Sequence, residues 1–543
     1  MERVKVNPII PGFAPDPSVV YVDGTYFLVN SSFHMFPGLP VYASRDLKEW
    51  KHIGMPFLPL HPSPSPVSRL HLQPGNALNR TGLMSFQHST TKLVGPDEDG
   101  VKIAAQGGLM APSIRYHKGT FYIVCTNIDH KDLLPGDTGC QNFILSTTNI
   151  WADEWSDPIF YDFYGIDTSL FWDDDDRAYL IGARSPAPAS QIWQFEIDVK
   201  TGKDLSERKL LWEGVTKVYP EGPHMYKRDG WYYLLIAEGG CFADHHVIMA
   251  RSRDIWGPYE VNPANPVLPK ADPTGFIQYT GHGDLFQHPS GQWYFACLGV
   301  RKNNGHFIMG RESVLTTASW KEGEFPVIDA VQVDVPLPTH QSLCSSNFPI
   351  ARKPGGPDVA YLQIRDPVPE NYEHDASNVT LTSSAADLNQ DDEPVTFIGK
   401  RQRSLHGTSS ATLEALDSSG MKESRLKTGL CYYKDEHRYA RVFLDVDSEN
   451  VVFEIVNKAR SIERTLSRNI GVLANDNRIV FGIDYTELDL VFWYSLGEDG
   501  ARQEMSATDS LDMTGHDFVG PVIGVFATSN NKVRVKYLDI TVV

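Results

Sequence analysis

The stretch DPSVVYVDGTYFLVNSS, residues 16–32, holds a pattern that the chain repeats. An aspartate stands between Pro15 and Pro17. A short apolar run follows, then the turn Asp23-Gly24, then a strongly aromatic run. Each proline fixes its own φ and removes a backbone donor. The residue before a proline is also pushed toward extended geometry. Asp16 is thus held stiffly at the mouth of a strand. The Asp-Gly pair between two apolar runs predicts a β-hairpin.

Four more segments have the same form. They are APSIRYHKGTFYIVCT at 111–126, DTSLFWDDDDRAYLIGA at 167–183, EGPHMYKRDGWYYLLIAE at 221–238 and HGDLFQHPSGQWYFACLG at 282–299. Gly24, Gly119, Gly230 and Gly291 fall at matching turns, and the third copy carries DDDDR there instead. That acidic run reads as a solvated turn rather than a cation site. A further strand-and-turn element recurs as SRDLKEW, STTNIWADEW and SRDIWGPYE. Five units of about four strands over residues 1–335 predict an all-β fold, a five-bladed β-propeller. Residues 55–110 read as an insertion between the first two blades.

In a propeller the innermost strands line the central channel. The expected first positions of the five copies are Asp16, Ala111, Asp167, Glu221 and His282. Three carboxylates gathered there repel one another and displace at least one pKa. Such displaced groups cluster at functional sites. Carboxylates facing each other across a channel suit an acid and a base with a sugar and a water between them.

The bulk composition fits this reading. The chain has 543 residues and a net charge of −19, which argues against nucleic acid or an anionic membrane surface as partner. The six cysteines, Cys125, Cys140, Cys241, Cys297, Cys344 and Cys431, form no CxxC pair and suggest neither zinc nor a disulfide framework. No long apolar run predicts a membrane span. No signal-peptide h-region is visible in MERVKVNPIIPGF, so a cytoplasmic location is expected.

After residue 335 the pattern changes. Residues 336–369 read as a Pro- and Ser-rich linker. Runs such as GLCYYK, YARVFLDV, VVFEIV, LDLVFWYSL and VRVKYLDITVV then predict a β-sandwich over 370–543.

Five motifs together resemble family 43 glycoside hydrolases of the β-xylosidase and α-L-arabinofuranosidase type. They are NPIIPGFAPDPSVV, SSFHMFPGLPVYASRDLKEWKHIG, GIDTSLFWDDD, YPEGPHMYKRDGWYYLLIAEGG and YTGHGDLFQ, and they occur in the family's order. The resemblance implies an exo-acting, inverting enzyme. It would release xylose from β-1,4-xylo-oligosaccharides or arabinofuranose from arabinoxylan. Asp16 matches the general base, Glu221 the general acid, and Asp167 the carboxylate that orients the acid and raises its pKa. His282 matches a central histidine beside a water or a calcium ion, with no cofactor required. Arg301 matches an arginine that contacts substrate and the acidic cluster. Phe33 matches an aromatic that shapes the pocket, and His245 is a weaker match for a sugar contact. The resemblance also implies that a sandwich loop similar to HDFVGPVIGV brings Phe518 to the site. It leaves room for a homo-oligomer. Two other classes compete with it, a non-catalytic sugar-binding propeller and a protein-interaction propeller. Neither has use for Asp16, Asp167 and Glu221 together.

Overall fold

A computed structural model describes residues 2–53, 75–96, 100–131, 139–152, 154–184, 190–338, 359–374, 378–416, 423–471, 478–497, 499–516 and 518–543. The PLHPSPSP stretch, Cys344 and most of the expected linker lie outside these residues. Over the described residues the chain is built almost wholly from antiparallel strands, as the alternating sequence predicts.

Five sheets in the first part of the chain are each built on a four-stranded antiparallel meander, the first and third with a fifth strand added. The first holds Ser18–Val22, Thr25–Val29, Gly38–Ser44 and Lys51–His52, with Asn76–Leu78 added on Gly38–Ser44. The second runs from Gly108–His117 to Ile159–Tyr161, and the third from Gly165–Trp172 to Lys203–Asp204. The fourth runs from Glu221–Arg228 to Glu260–Val261, and the fifth from Ile277–Gln287 to Val327–Ile328. The leading strand of each sheet lies against that of the next, and the fifth against the first. At the N-terminus, Glu2–Lys5 pairs with Asp334–Leu337 and Ile10 bridges to Ser313, tying the start of the chain to the fifth sheet and the segment that follows it.

The expected insertion contains a hairpin of its own, Thr91–Pro96 with Lys102–Gln106. The acidic run is only partly solvated. Asp174 is 85% exposed, but Asp173 is 10% exposed and pairs with Lys227 of the next sheet. Tyr232 also donates to Asp173 at 2.7 Å.

The second part of the chain is a sandwich of a seven-stranded and a six-stranded sheet. Alternation along Lys427–Asp435 divides its side chains between two cores. Leu430 and Tyr432 face the seven-stranded sheet with Phe481, Ile483 and Tyr537. Cys431 and Tyr433 pack with Phe13, Phe33 and Met35 from the first part of the chain. The six-stranded sheet is therefore covered on both faces, which is why GLCYYK reads as a nearly continuous apolar run. Leu362 and Ile364, inside the expected linker, belong to this second core, and Gln363–Ile364 pairs with Met35–Phe36.

Candidate active site

The site begins with an unusual backbone feature repeated once per sheet. Asp16, Ala111, Asp167, Gly222 and His282 have φ between +42° and +58°. Each lies two residues before a strand-paired residue: Ser18, Ser113, Ser169, His224 and Asp284. In the later four sheets the strand register shifts at this point. Bulges of this kind re-aim side chains next to active sites. A left-handed residue other than glycine costs about 1–2 kcal/mol, so four such residues at matching places mark a constrained ring.

The repeat alignment is corrected in its fourth member. Gly222, not Glu221, is the equivalent of Asp16, because Glu221-Gly222-Pro223-His224 superposes on Pro15-Asp16-Pro17-Ser18 in strand register. Glu221 stands one residue earlier and reaches the same site from the adjacent position. Aligning Pro223 with Pro17 and Pro112 is the sequence signal that would have found this.

Asp16 and Asp167 are buried. Ser31 Oγ donates to Asp16 Oδ2 at 2.6 Å and in turn accepts from the Ala111 N–H at 2.7 Å. Asp167 Oδ2 accepts from the Gly222 N–H at 3.1 Å and lies 3.7 Å from His282 Nδ1. Burial pushes the Asp167 carboxyl up, and the charge of Asp16 adds to this. Glu221 is pushed up to about 7, first by burial and then by Asp167. Burial alone would lower His282, but the carboxylates of Asp167, Asp16 and Glu221 raise it above its ordinary value.

His245 lies 3.8 Å from Glu221 Oε1 through Nε2. It is 1% exposed, where a polar loop histidine would ordinarily be solvated. Burial, then Arg311 and His282, lower its pKa to about 3, so the imidazole beside Glu221 is neutral. Cys241 Sγ is 3.9 Å from the same Glu221 oxygen.

The arginine beside the carboxylates is Arg311. Its Nη1 lies 3.9 Å from Asp16 Oδ1, and its Nη2 donates to the Cys241 carbonyl at 3.2 Å. Arg301, expected there, instead donates twice to Glu312, at 2.7 Å each. Glu312 lies on the neighbouring strand of the fifth sheet and also accepts from the Gly12 N–H at 2.7 Å. The strand Trp293–Arg301 thus spends its terminal guanidinium on anchoring the N-terminal segment. Nothing local in HFIMGRESV distinguishes Arg311, because its place is set by the closing of the ring of sheets.

Aromatic rings cover the site. Phe33 stacks on Phe13 and on Phe518, with centroids 6.2 Å apart in each case. Phe518 stacks on Phe242 at 6.2 Å, and the Arg311 guanidinium lies 4.3 Å from the Phe518 ring centroid. The sandwich loop therefore reaches the carboxylate cluster. Phe242 is a residue that the sequence reading missed.

Further along the leading strands, Arg115 joins three of the sheets. It donates to Asp284 Oδ2 at 2.7 Å and meets His224 Nδ1 at 2.7 Å. Ser18 and Tyr226 also donate to Asp284, at 2.7 Å and 2.8 Å. Among the described residues, no group of three or more His, Cys, Asp or Glu side chains is arranged to hold a metal ion. The site offers one buried acidic side chain, Asp16, near Arg311 and a second, Glu221, whose carboxyl is raised to about 7. That pairing can take a proton from a water and give one to a leaving group.

The sequence profile of Glycosyl hydrolases family 43 matches residues 6–67 and 82–326. That of the Beta xylosidase C-terminal Concanavalin A-like domain matches residues 355–542. The chain is 29% identical over 547 residues to a Bacteroides ovatus protein named non-reducing end alpha-L-arabinofuranosidase BoGH43B, covering 98% of this chain and 93% of that one. It is 35% identical over 327 residues to xylosidase/arabinosidase 43B of Humicola insolens, covering 59% of this chain and 54% of that one. Among solved structures, the xylan beta-1,4-xylosidase of Bacillus halodurans is similar with a TM-score of 0.79 and 25% identity, covering 98% of this chain and 99% of that one. On the match across both sequence profiles, the chain belongs to glycosyl hydrolases family 43.

Proposed function

We propose that the protein is an exo-acting, inverting glycoside hydrolase that releases xylose from the non-reducing end of β-1,4-xylo-oligosaccharides. The five sheets are the blades of a five-bladed propeller over residues 1–335, and residues 336–369 connect it to the sandwich at 370–543. The observation that carries this reading is that the turns at the heads of the leading strands bring Asp16, Asp167 and Glu221 to one site, where burial and Asp167 raise the Glu221 carboxyl to about 7. Glu221 gives its proton to the leaving glycosidic oxygen as that bond breaks. Asp16 takes a proton from the water that attacks the anomeric carbon. Asp167 holds Glu221 protonated and acts through it. Solvent then returns a proton to Glu221 and removes one from Asp16. An inverting enzyme needs room for that water, with carboxyls about 6.5–9.5 Å apart. Arg311 takes the position expected for Arg301, and Phe33 and Phe518 wall the terminal sugar. The donors at His282 are one imidazole and the Asp167 carboxylate, fewer than the six to eight oxygens calcium usually takes. No step runs through an ion there.

A second reading, primarily an α-L-arabinofuranosidase, is supported by the name of the Bacteroides ovatus relative, which this chain matches over nearly its full length. Wild type and Glu221→Ala should be compared on p-nitrophenyl β-D-xylopyranoside and p-nitrophenyl α-L-arabinofuranoside. Proton NMR would follow the first anomer released. The expected result is inversion by wild type and a loss of about 10²–10⁴-fold in the variant. The better substrate decides between the two sugars. Turnover of neither glycoside by wild type would sink both readings.

A further inference from the structure

We propose that Gln106 is a positioning residue for the pocket, fixing Phe518 over the carboxylates by a two-sided hydrogen bond that joins the two parts of the chain. This inference deepens the glycosidase reading and rests on it. The strand Lys102–Gln106 belongs to the inserted hairpin, not to the five repeated sheets. It runs beside the sandwich loop that carries Phe518. The Ala104 N–H donates to the His516 carbonyl at 3.0 Å. Two residues further along both segments, the Phe518 N–H donates to Gln106 Oε1 at 3.0 Å. A side-chain oxygen thus makes the second rung of what begins as a backbone ladder.

The other side of the Gln106 amide is also committed. Its Nε2 donates to Asp435 Oδ2 at 3.1 Å. Asp435 sits on the sandwich hairpin between Lys427–Asp435 and Arg438–Asp445. Arg438 Nε and Nη2 both donate to that same Oδ2, at 2.9 Å and 2.5 Å, and both residues are fully buried. Burial works against the Asp435 charge, but Arg438 outweighs it and holds the carboxyl down at about 2. An ionised carboxylate only accepts, and the Phe518 N–H only donates. The amide orientation is therefore fixed from both ends. Glutamine has the length and the paired donor and acceptor that the gap demands. Glutamate would set a second anion against Asp435, and leucine would leave the Phe518 N–H unpaired while Asp435 kept its bonds from Arg438. Gln106 is itself 1% exposed, so water cannot take its place.

The consequence falls on the pocket. Phe518 is stacked between Phe33 and Phe242 and lies under the Arg311 guanidinium. A wall residue displaced by about 1 Å can cost up to 10²-fold in rate. The test is a cycle of Gln106→Leu, Phe518→Ala and the double variant in the full chain. Each would be assayed on whichever p-nitrophenyl glycoside the wild type hydrolyses. Each single variant should lose about tenfold or more in kcat/KM. The double variant should fall within about twofold of Phe518→Ala alone, since both changes act through one ring. The alkaline limb of the pH profile, near 7, should not move, because Gln106 touches none of the three carboxylates.

A merely structural role would make the losses multiply, and that result would overturn the inference. So would a folded Gln106→Leu with wild-type kcat/KM. If Gln106→Leu melts below the assay temperature, Gln106→Met keeps the length without the donor and acceptor and enters the same cycle. Wild type inactive on both glycosides would instead fail the glycosidase reading itself.

Discussion

Glu221 carries the sharpest consequence of the charge arrangement. Its carboxyl is raised to about 7 by burial and by Asp167, and the acid role proposed for it requires the protonated form. On the alkaline side, activity is therefore lost as pH rises through that value. In wild type, kcat/KM should fall tenfold per pH unit well above 7, and a limb near the ordinary carboxyl value would disprove the assignment. The same shift sets stability with a definite sign. The folded state holds the Glu221 proton more tightly than the unfolded chain does. Wild type thus loses stability between about pH 4.5 and above pH 7, where the buried group must ionise. Glu221→Gln removes that ionisation. It should stabilise the fold at pH 8, on the order of 1–3 kcal/mol, with little effect at pH 4. Denaturant melts at the two pH values check this. Asp16 and Asp167 were legible in the sequence because the repeat sets both at the heads of leading strands. Arg311 was not, since it enters from a loop between strands of the fifth sheet and meets Asp16 of the first sheet only where the ring closes.

The left-handed turn at the head of each leading strand is the element that builds the pocket. Its fourth copy uses glycine, and space explains why. A Cβ on Gly222 would stand 3.2 Å from three ring atoms of His282, at a φ of +58°. The Gly222 N–H also holds Asp167. Gly222→Ala should cost about 1–2 kcal/mol of stability from the backbone alone. It should also lower kcat/KM by about tenfold, by moving His282 and Asp167. Gly24 is the control, with φ +80° and open space where its Cβ would be. Gly24→Ala should carry a similar backbone cost and leave kcat/KM unchanged. Equal activity in the two variants would mean that the turn shapes the fold but not the site. The hairpins themselves were legible, since Asp-Gly turns and aromatic strands are local signals. The one-residue offset of Glu221 was not, because residue type suggested one alignment and Pro223 another. The register of the leading strands decides for the proline.

At the scale of the whole molecule, the two parts of the chain share a core, and this was the least legible feature. The sequence marks residues 336–369 as a linker because proline, serine and glycine are frequent there. Yet Leu362 and Ile364 pack with Phe13, Phe33 and Met35, and Gln363–Ile364 pairs with Met35–Phe36. Apolar residues on the outer face of the six-stranded sheet, Tyr433, Phe443, Val452 and Phe526, fill the same cluster. A chain ending at Leu337 would expose Phe13, Phe33 and Met35 to water and remove Phe518 from the pocket. Burying each such side chain is worth about 1.5–3 kcal/mol, against a typical domain stability of about 5–15 kcal/mol. Residues 1–337 should therefore aggregate when produced alone, and the full chain should unfold in one cooperative transition. Calorimetry of the full chain and solubility of the truncated chain test this together. A soluble, fully active 1–337 would show that the first part is self-sufficient and that Phe518 contributes nothing to the pocket. Two separated transitions in the full chain would show that the shared core does not couple the two parts. The single transition is the expected result because the aromatic wall of the pocket and the interface between the parts are made of the same side chains, Phe13, Phe33 and Phe518 among them.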